Sequence, residues 1–266
     1  MVRAIVLLSG GLDSRTQAAA LKHINANVFS YSYEFEFGYK ETKIAERIAK
    51  VCDFDFKAYL VSKGYLWDCI NDLVQINKCY SDFTSPRQMV LNSQFKEMGE
   101  IFSLGHWGDV LFDDVKVQDN LNFEKQVQVV LKKIIKKGGL HLAEQLWNDW
   151  QLEGNFYDYF YERVKQLLRN IDIDYSANAR IRAFKSLYWA PRWTTVNLSV
   201  FEANRPISLP YYDDRMCEFI CTIPEEYLKD GLNSVKYKVN AIDENQLYIH
   251  YHIELPEPPD KNAKAA

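Results

Sequence analysis

The sequence predicts an α/β protein, a parallel twisted sheet with flanking helices followed by a mostly helical C-terminal half. Three observations carry this. Short apolar runs alternate with helix-like stretches from Val2 to Gly105, the pattern of successive strand–helix–strand units. The first run ends in a glycine-rich turn that opens directly into a helical stretch. From about Asn120 the strand-like runs give way to apolar residues at helical spacing.

Val2 to Leu7 is short and apolar enough for a buried strand, and the Ala- and Leu-rich stretch from Arg15 to Ile24 reads as the helix after it. Val28 to Tyr33 is a second strand. Lys40 to Val51 follows as a helix with Ile44, Ala45, Ile48 and Val51 on one face. Phe56 to Val61 is a third strand, Leu66 to Ile76 and Arg87 to Met98 are helices, and Glu100 to Leu104 is a fourth strand ending at Gly105. Such a sheet is covered on both faces and binds ligands beyond the strand C-termini, where the strand order reverses. Phe123 to Lys137 carries Phe123, Val127, Val130, Leu131, Ile134 and Ile135 at helical spacing, and Gly138-Gly139 is expected to stop it. Its Lys132, Lys133, Lys136 and Lys137 read as a solvated face rather than a phosphate site. Leu140 to Leu168 is aromatic-rich and helical, and the whole second half is expected to be helical. The end, Leu255 to Ala266, carries three prolines and small polar residues and reads as a disordered tail.

The 266 residues suffice for one large domain or two small ones. A net charge of -4 gives no global attraction to nucleic acid, and no apolar run reaches membrane-spanning length. No signal-peptide pattern precedes the first strand, and the five scattered cysteines suit reduced thiols in a cytoplasm. Cys217 and Cys221 fall one turn apart on a helix, which predicts core packing.

The chemistry is concentrated in Leu8-Ser9-Gly10-Gly11-Leu12-Asp13-Ser14. A turn between strand and helix presents backbone N–H groups at a helix N-terminus, and glycines let a large anion approach the backbone. Ser9 and Ser14 add hydroxyls, and Asp13 can hold Mg²⁺ against phosphate oxygens. The turn lacks the lysine of a Walker A loop and the spaced glycines of a dinucleotide fingerprint. It resembles the PP-loop of the ATP pyrophosphatases, which cleave ATP between its α- and β-phosphates.

Two later stretches narrow the resemblance. One is Gly105-His106-Trp107-Gly108-Asp109-Val110-Leu111-Phe112-Asp113-Asp114. The other is Pro210-Tyr211-Tyr212-Asp213-Asp214-Arg215 with Glu218-Phe219 and Ile223-Pro224, followed by Lys236-Tyr237. With the first motif they are similar to the synthetase domain of asparagine and β-lactam synthetases, from Val2 to about Val239. The resemblance implies an adenine nucleotide alpha hydrolase-like sheet. It divides the chain into a nucleotide-binding core (1–119), a mainly helical part completing the site (120–254) and the tail (255–266).

It further implies that Leu8, Ser9, Gly10, Gly11, Asp13, Ser14, Tyr33 and Gly105 bind ATP and pyrophosphate, and that Asp13 and Asp109 hold Mg²⁺. Lys236 would stabilise the charged transition state, while Asp213 shapes the fold. ATP and Mg²⁺ are the implied cofactors, and a carboxylate with an amine or ammonia donor the implied substrates. No nucleic-acid or membrane partner is expected.

The departures fall on the acceptor side. His106 replaces the family's glutamate and is either a base or a hydrogen-bonded loop residue. Trp107 stands at a glycine position, where it would crowd the pocket or offer a stacking face. Val110 replaces a carboxylate, and Asp113-Asp114 would supply alternative metal oxygens or only solvated charge. Val2 follows Met1 where glutamine-dependent members carry a glutaminase domain, so a separate glutaminase chain, free ammonia or an amine is expected to supply nitrogen. Three readings follow: an ATP-dependent ligase forming an amide through an adenylated carboxylate, a catalytically degenerate ATP-binding homologue with a partner role, or another PP-loop chemistry.

Overall fold

The computed structural model describes residues 2–36, 38, 41–78 and 86–228. Five parallel strands form one sheet: β1 (Arg3–Leu7), β2 (Asn27–Phe35), β3 (Asp55–Val61), β4 (Ile101–Ser103) and β5 (Ile207–Ser208). Their order is β3-β2-β1-β4-β5. The chain runs outward from β1 to β3 and then returns to β1's other side at β4, so the order reverses between β1 and β4. That reversal opens a crevice at the carboxyl ends of these two strands.

Strand alternation divides the apolar residues between two faces. Val6, Leu8 and Val28 pack against α1 (Leu12–His23) and α2 (Thr42–Cys52). Ile5, Tyr31 and Phe102 pack on the opposite face against α3 (Tyr65–Asn77), a 3-10 segment Pro86–Leu91 and α4 (Phe95–Met98). The same face receives Leu198, Val200 and Phe201 of α10 (Ala190–Glu202). Phe95, Phe102 and Phe201 meet there at 5.0–6.1 Å between ring centroids, two of the pairs edge-to-face.

Several sequence expectations are corrected in detail. The buried face of α2 is Thr42, Ala45, Ile48, Ala49 and Cys52, while Ile44 and Val51 are exposed. Ala49 and Cys52 take the buried places that Ile44 and Val51 leave, and both pack in the cluster with Val6, Leu8 and Val28. Arg87 to Met98 is not one helix. Three-residue bonds, Asn92 N–H to the Met89 carbonyl and Gln94 N–H to the Leu91 carbonyl, interrupt it, and all four of Met89, Leu91, Phe95 and Met98 are still buried. The second half is not all helix, because β5 joins the sheet. Phe102 and Leu104 donate to the carbonyls of Pro206 and Ser208; two residues are too few to show a strand period.

The helical lobe is built from α6 (Phe123–Ile134), α7 (Gly139–Asp149), α8 (Phe156–Arg169) and α9 (Ala177–Phe184). Val127, Val130, Leu131, Val164, Leu168, Ile181 and Phe184 form most of its core. Gly138, at φ +79°, starts α7 rather than stopping α6, which ends at Ile134. A π-helical segment, Lys185–Trp189, joins α9 to α10.

Charged struts tie the lobe to α5 (Gly108–Leu111) and the segment after it. Lys185 reaches Asp113 at 2.8 Å and Lys133 reaches it at 3.8 Å. Asp113 is thus committed to ion pairing, and Lys133 leaves the solvated face expected for its helix. Arg182 donates to the Asp113 carbonyl at 3.2 Å and forms a two-point pair with Glu225 of α12 (Glu225–Leu228). On α11 (Asp214–Thr222), Cys217 and Cys221 are exposed, and the buried residue is Ile220 between them. Their predicted core role is overturned because the helix turns its Ile220 face inward.

Phe201→Ala removes the ring through which α10 grips the sheet. It is expected to cost about 3–5 kcal/mol, read as a lower midpoint in urea, whereas Cys217→Ser is expected to leave the midpoint unchanged within error.

Candidate active site

The apolar run Ala4-Ile5-Val6 must pair on both sides, so β1 is central, and its end delivers the glycine turn into the crevice beside β4. Leu8 N–H donates to the Tyr31 carbonyl at 2.8 Å, and the Leu8 side chain is fully buried, so this residue can offer a ligand only backbone. Ser9 and Ser14 close the turn. Their hydroxyls are 3.1 Å apart, Ser9 N–H donates to Ser14 Oγ at 3.2 Å, and Gly11 N–H donates to Ser9 Oγ at 3.1 Å. Gly11 is extended (φ −72°, ψ 157°) and caps α1 with no side chain. A Cβ on Gly10 would make only ordinary contact with Ile44. Backbone conformation therefore demands neither glycine, and the pair leaves a bare backbone edge at the positive end of a 12-residue helix.

Asp13 lies in the first turn of α1, where three distant segments converge. Its Oδ2 accepts the Asp109 N–H at 3.0 Å. Its backbone carbonyl accepts the Tyr211 hydroxyl at 3.1 Å. A Cβ on Gly108 would fall 2.6 Å from Asp13 Cγ and 3.0 Å from Tyr211 Cζ, so any side chain there would push the Asp13 carboxylate out of place. Gly105 packs on the same turn, its would-be Cβ 3.5 Å from the Asp13 carbonyl carbon. The structure thus brings Ser9, Gly10, Gly11, Asp13, Ser14, Gly105 and Asp109 together. Lys236 lies outside the described residues.

Burial, then the neighbouring Asp109 charge, push the Asp13 carboxyl up to about 6, against the lowering effect of the Asp109 N–H. Two hard carboxylates, one half-buried and one exposed, fit a divalent cation that would offset their repulsion. Among the described residues no group of three or more His, Cys, Asp or Glu side chains is arranged for a metal, so further donors would come from a ligand.

His106 sits half-buried, its ring 6.0 Å edge-on from Phe201. Burial lowers its pKa to about 4, so the imidazole is neutral near pH 7. Trp107 adopts the left-handed conformation, φ +79°. It is buried with Leu111, Phe112, Ala190 and Tyr211, and its indole N–H donates to Ser186 Oγ at 3.2 Å. The stacking-face expectation is therefore corrected: the ring is packed into a separate buried cluster with Ile220 and Leu228, 5.9 Å from Tyr212 and 6.3 Å from Trp193. Tyr33 lies two residues beyond the last β1–β2 pair, its hydroxyl accepting from Arg87 at 3.4 Å.

Sequence reading missed Gln17, one turn below Asp13. Its amide donates to Ser103 on β4, and its Oε1 is buried without a hydrogen-bond partner. A polar residue amid Ala18, Ala19 and Ala20 was the available signal. Asp213 caps α11, accepting the Arg215 N–H at 3.0 Å.

The crevice at a strand-order reversal, a serine–glycine turn and paired carboxylates make up the candidate site of an α/β fold. The asparagine synthase family model matches residues 1–186, and the chain belongs to that family of ATP-utilising synthetases. A search of curated proteins gave no match. Among solved structures, the chain is similar to one titled "predicted subunit of tRNA methyltransferase" from Methanocaldococcus jannaschii, at 23% identity and TM-score 0.29. That likeness covers 50% of this chain and 64% of the other. No helix among the described residues is long and apolar enough to cross a membrane.

The two shifted groups predict opposite pH effects. The folded state holds the Asp13 proton more tightly than the unfolded chain (about 6 against 3.8), so this group destabilises the fold as pH rises from about 4 to 6. His106 is depressed (about 4 against 6.5), so its share of stability is lost as pH falls from 6.5 towards 4. Denaturation of metal-free protein across pH 4–7 should show Asp13→Asn gaining on wild type as pH rises and His106→Gln gaining as it falls.

Proposed function

We propose that the protein is a Mg²⁺-dependent ligase that adenylates a small carboxylate and transfers the acyl group to ammonia or an amine. The observation that carries this reading is the convergence of the serine–glycine turn, Asp109 and Tyr211 on Asp13. Ser9, Ser14 and the N–H groups at the start of α1 would bind the triphosphate, with the backbone of Leu8, Gly10 and Gly105 shaping the edge and Tyr33 beside it. Asp13 and Asp109 would hold Mg²⁺, which supplies charge neutralisation to the leaving pyrophosphate.

In the first step a carboxylate oxygen attacks the α-phosphorus and pyrophosphate departs. In the second a neutral nitrogen attacks the acyl carbon, AMP leaves with the bond electrons, and the nitrogen loses a proton. His106, neutral at pH 7 and placed next to Gly105, is the side chain assigned to hydrogen-bond the nitrogen nucleophile, although its low basicity makes it a weak proton acceptor. The transition-state role of Lys236 rests on the resemblance. We assign the work to the cytoplasm, with no nucleic-acid or membrane partner and with a glutaminase chain as one source of ammonia.

A second reading, nucleotide binding without turnover, is favoured by one observation. Trp107, in a conformation suited to glycine, is buried and anchored to Ser186 of the π-helical segment rather than left facing a substrate.

The test is release of AMP and pyrophosphate from labelled ATP over a panel of carboxylates and amines. The ligase reading expects amine-dependent amide product, and Asp13→Ala should lower it by about 10²-fold or more. Gly108→Ala should lower it too, by displacing the Asp13 carboxylate. Mg²⁺-ATP binding that Asp13→Ala abolishes, with no pyrophosphate from any pair, would select the second reading.

A further inference from the structure

We propose that the protein self-associates through α7, two copies pairing antiparallel along Leu142, Leu146 and Trp150. These residues recur every fourth position and are 61%, 37% and 66% exposed. No residue of α7 is buried, yet contacts to α8 hold the helix. Glu144 accepts the Phe156 and Tyr157 N–H groups at the start of α8, at 3.0 and 2.8 Å, and the Trp147 ring packs 4.9 Å from Tyr159. One side of α7 is therefore fixed against α8, while Leu142, Leu146 and Trp150 are exposed and exposed Leu152 follows them. Isolated exposed leucines are ordinary, but a rigid, contiguous stripe of this kind marks a contact surface.

The charges around the stripe select a second copy as its occupant. Lys136 and Lys137 stand exposed at the N-terminal end of α7, and Asp149 and Glu153 stand exposed at the other. None of the four has an ion pair among the described residues. An antiparallel pair sets each basic end beside the partner's acidic end and opposes the helix dipoles, an arrangement compatible with a two-fold contact. An anionic membrane surface fits poorly, because α7 itself carries Glu144 and Asp149 and no lysine or arginine. Eleven residues of helix span about 16 Å, less than a standard interface, so the dimer is weak and exchanging.

Sedimentation velocity on the full chain tests this. A monomer–dimer equilibrium is expected with a dissociation constant on the order of 10 µM. Leu146→Glu should weaken it at least tenfold with an unchanged circular dichroism spectrum. Lys136→Glu with Lys137→Glu should weaken it, as should Asp149→Lys with Glu153→Lys, and all four changes together should restore it. A monomer at every concentration up to about 100 µM overturns the proposal, as does a dimer indifferent to Leu146→Glu. Failure of the fourfold variant to recover overturns the antiparallel arrangement, and cosedimentation with anionic vesicles in place of self-association overturns the choice of partner.

Discussion

The close packing around Asp13 is the constraint on which the rest of the site depends. One residue in the first turn of α1 takes a hydrogen bond from Asp109 and another from Tyr211, residues 96 and 198 positions away. Gly108 closes the gap between them with no room for a side chain. Loop-closure entropy opposes such a meeting, so other parts of the fold must deliver the three segments already oriented. The sheet does this for two of them, because β1 and β4 are neighbours and both end in the crevice. The third arrives through β5, whose pairing with β4 places Pro210–Tyr212 one step beyond the same edge.

Trp107 shows how the helical lobe is coupled to that point. A non-glycine residue in the left-handed region costs roughly 1–2 kcal/mol, and burying an indole in a packed cluster returns more than that. The indole N–H finds its acceptor in Ser186, inside the π-helical segment, where the widened turn shifts the helix's register. The Asp113 carboxylate is held from the lobe by Lys185, and its carbonyl by Arg182. The loop after β4 is thereby clamped from the sheet side by Asp13 and from the lobe side by an aromatic core and two buried cations. An interface so heavily bonded leaves Asp109 little freedom relative to Asp13.

The serine–glycine half of this arrangement was legible in the sequence because local chemistry fixes it. Strand, serine–glycine turn and helix are contiguous, and the short apolar runs gave strands whose placement next to β1 follows from parallel topology. The features that escaped depend on tertiary choice. Pattern alone could not show which face of α2 would be buried, since Ile44 and Val51 are as apolar as the residues that won. β5 is too short to carry a period. The break between Leu91 and Phe95 preserves burial of every apolar residue a continuous helix would have buried, so hydrophobicity could not distinguish the two. Trp107's inward turn required knowing that Ser186 would stand opposite it.

The electrostatics of the crevice constrain what it can hold. Burial first, and then repulsion from Asp109, push the Asp13 carboxyl up to about 6. His106 adds no positive charge at neutral pH, because its surroundings strip the imidazolium of solvent without supplying a counter-ion. A polyphosphate entering beside two ionised carboxylates would raise the repulsion further, and helix N–H dipoles amount to only about half an elementary charge. On the proposed ligase reading, the site would therefore accept such an anion only together with a compensating cation. Binding of the two is thermodynamically linked, each raising the affinity for the other by the same factor. On that reading, the carboxylates that would weaken binding of the free anion would also make the metal-bound form the one selected.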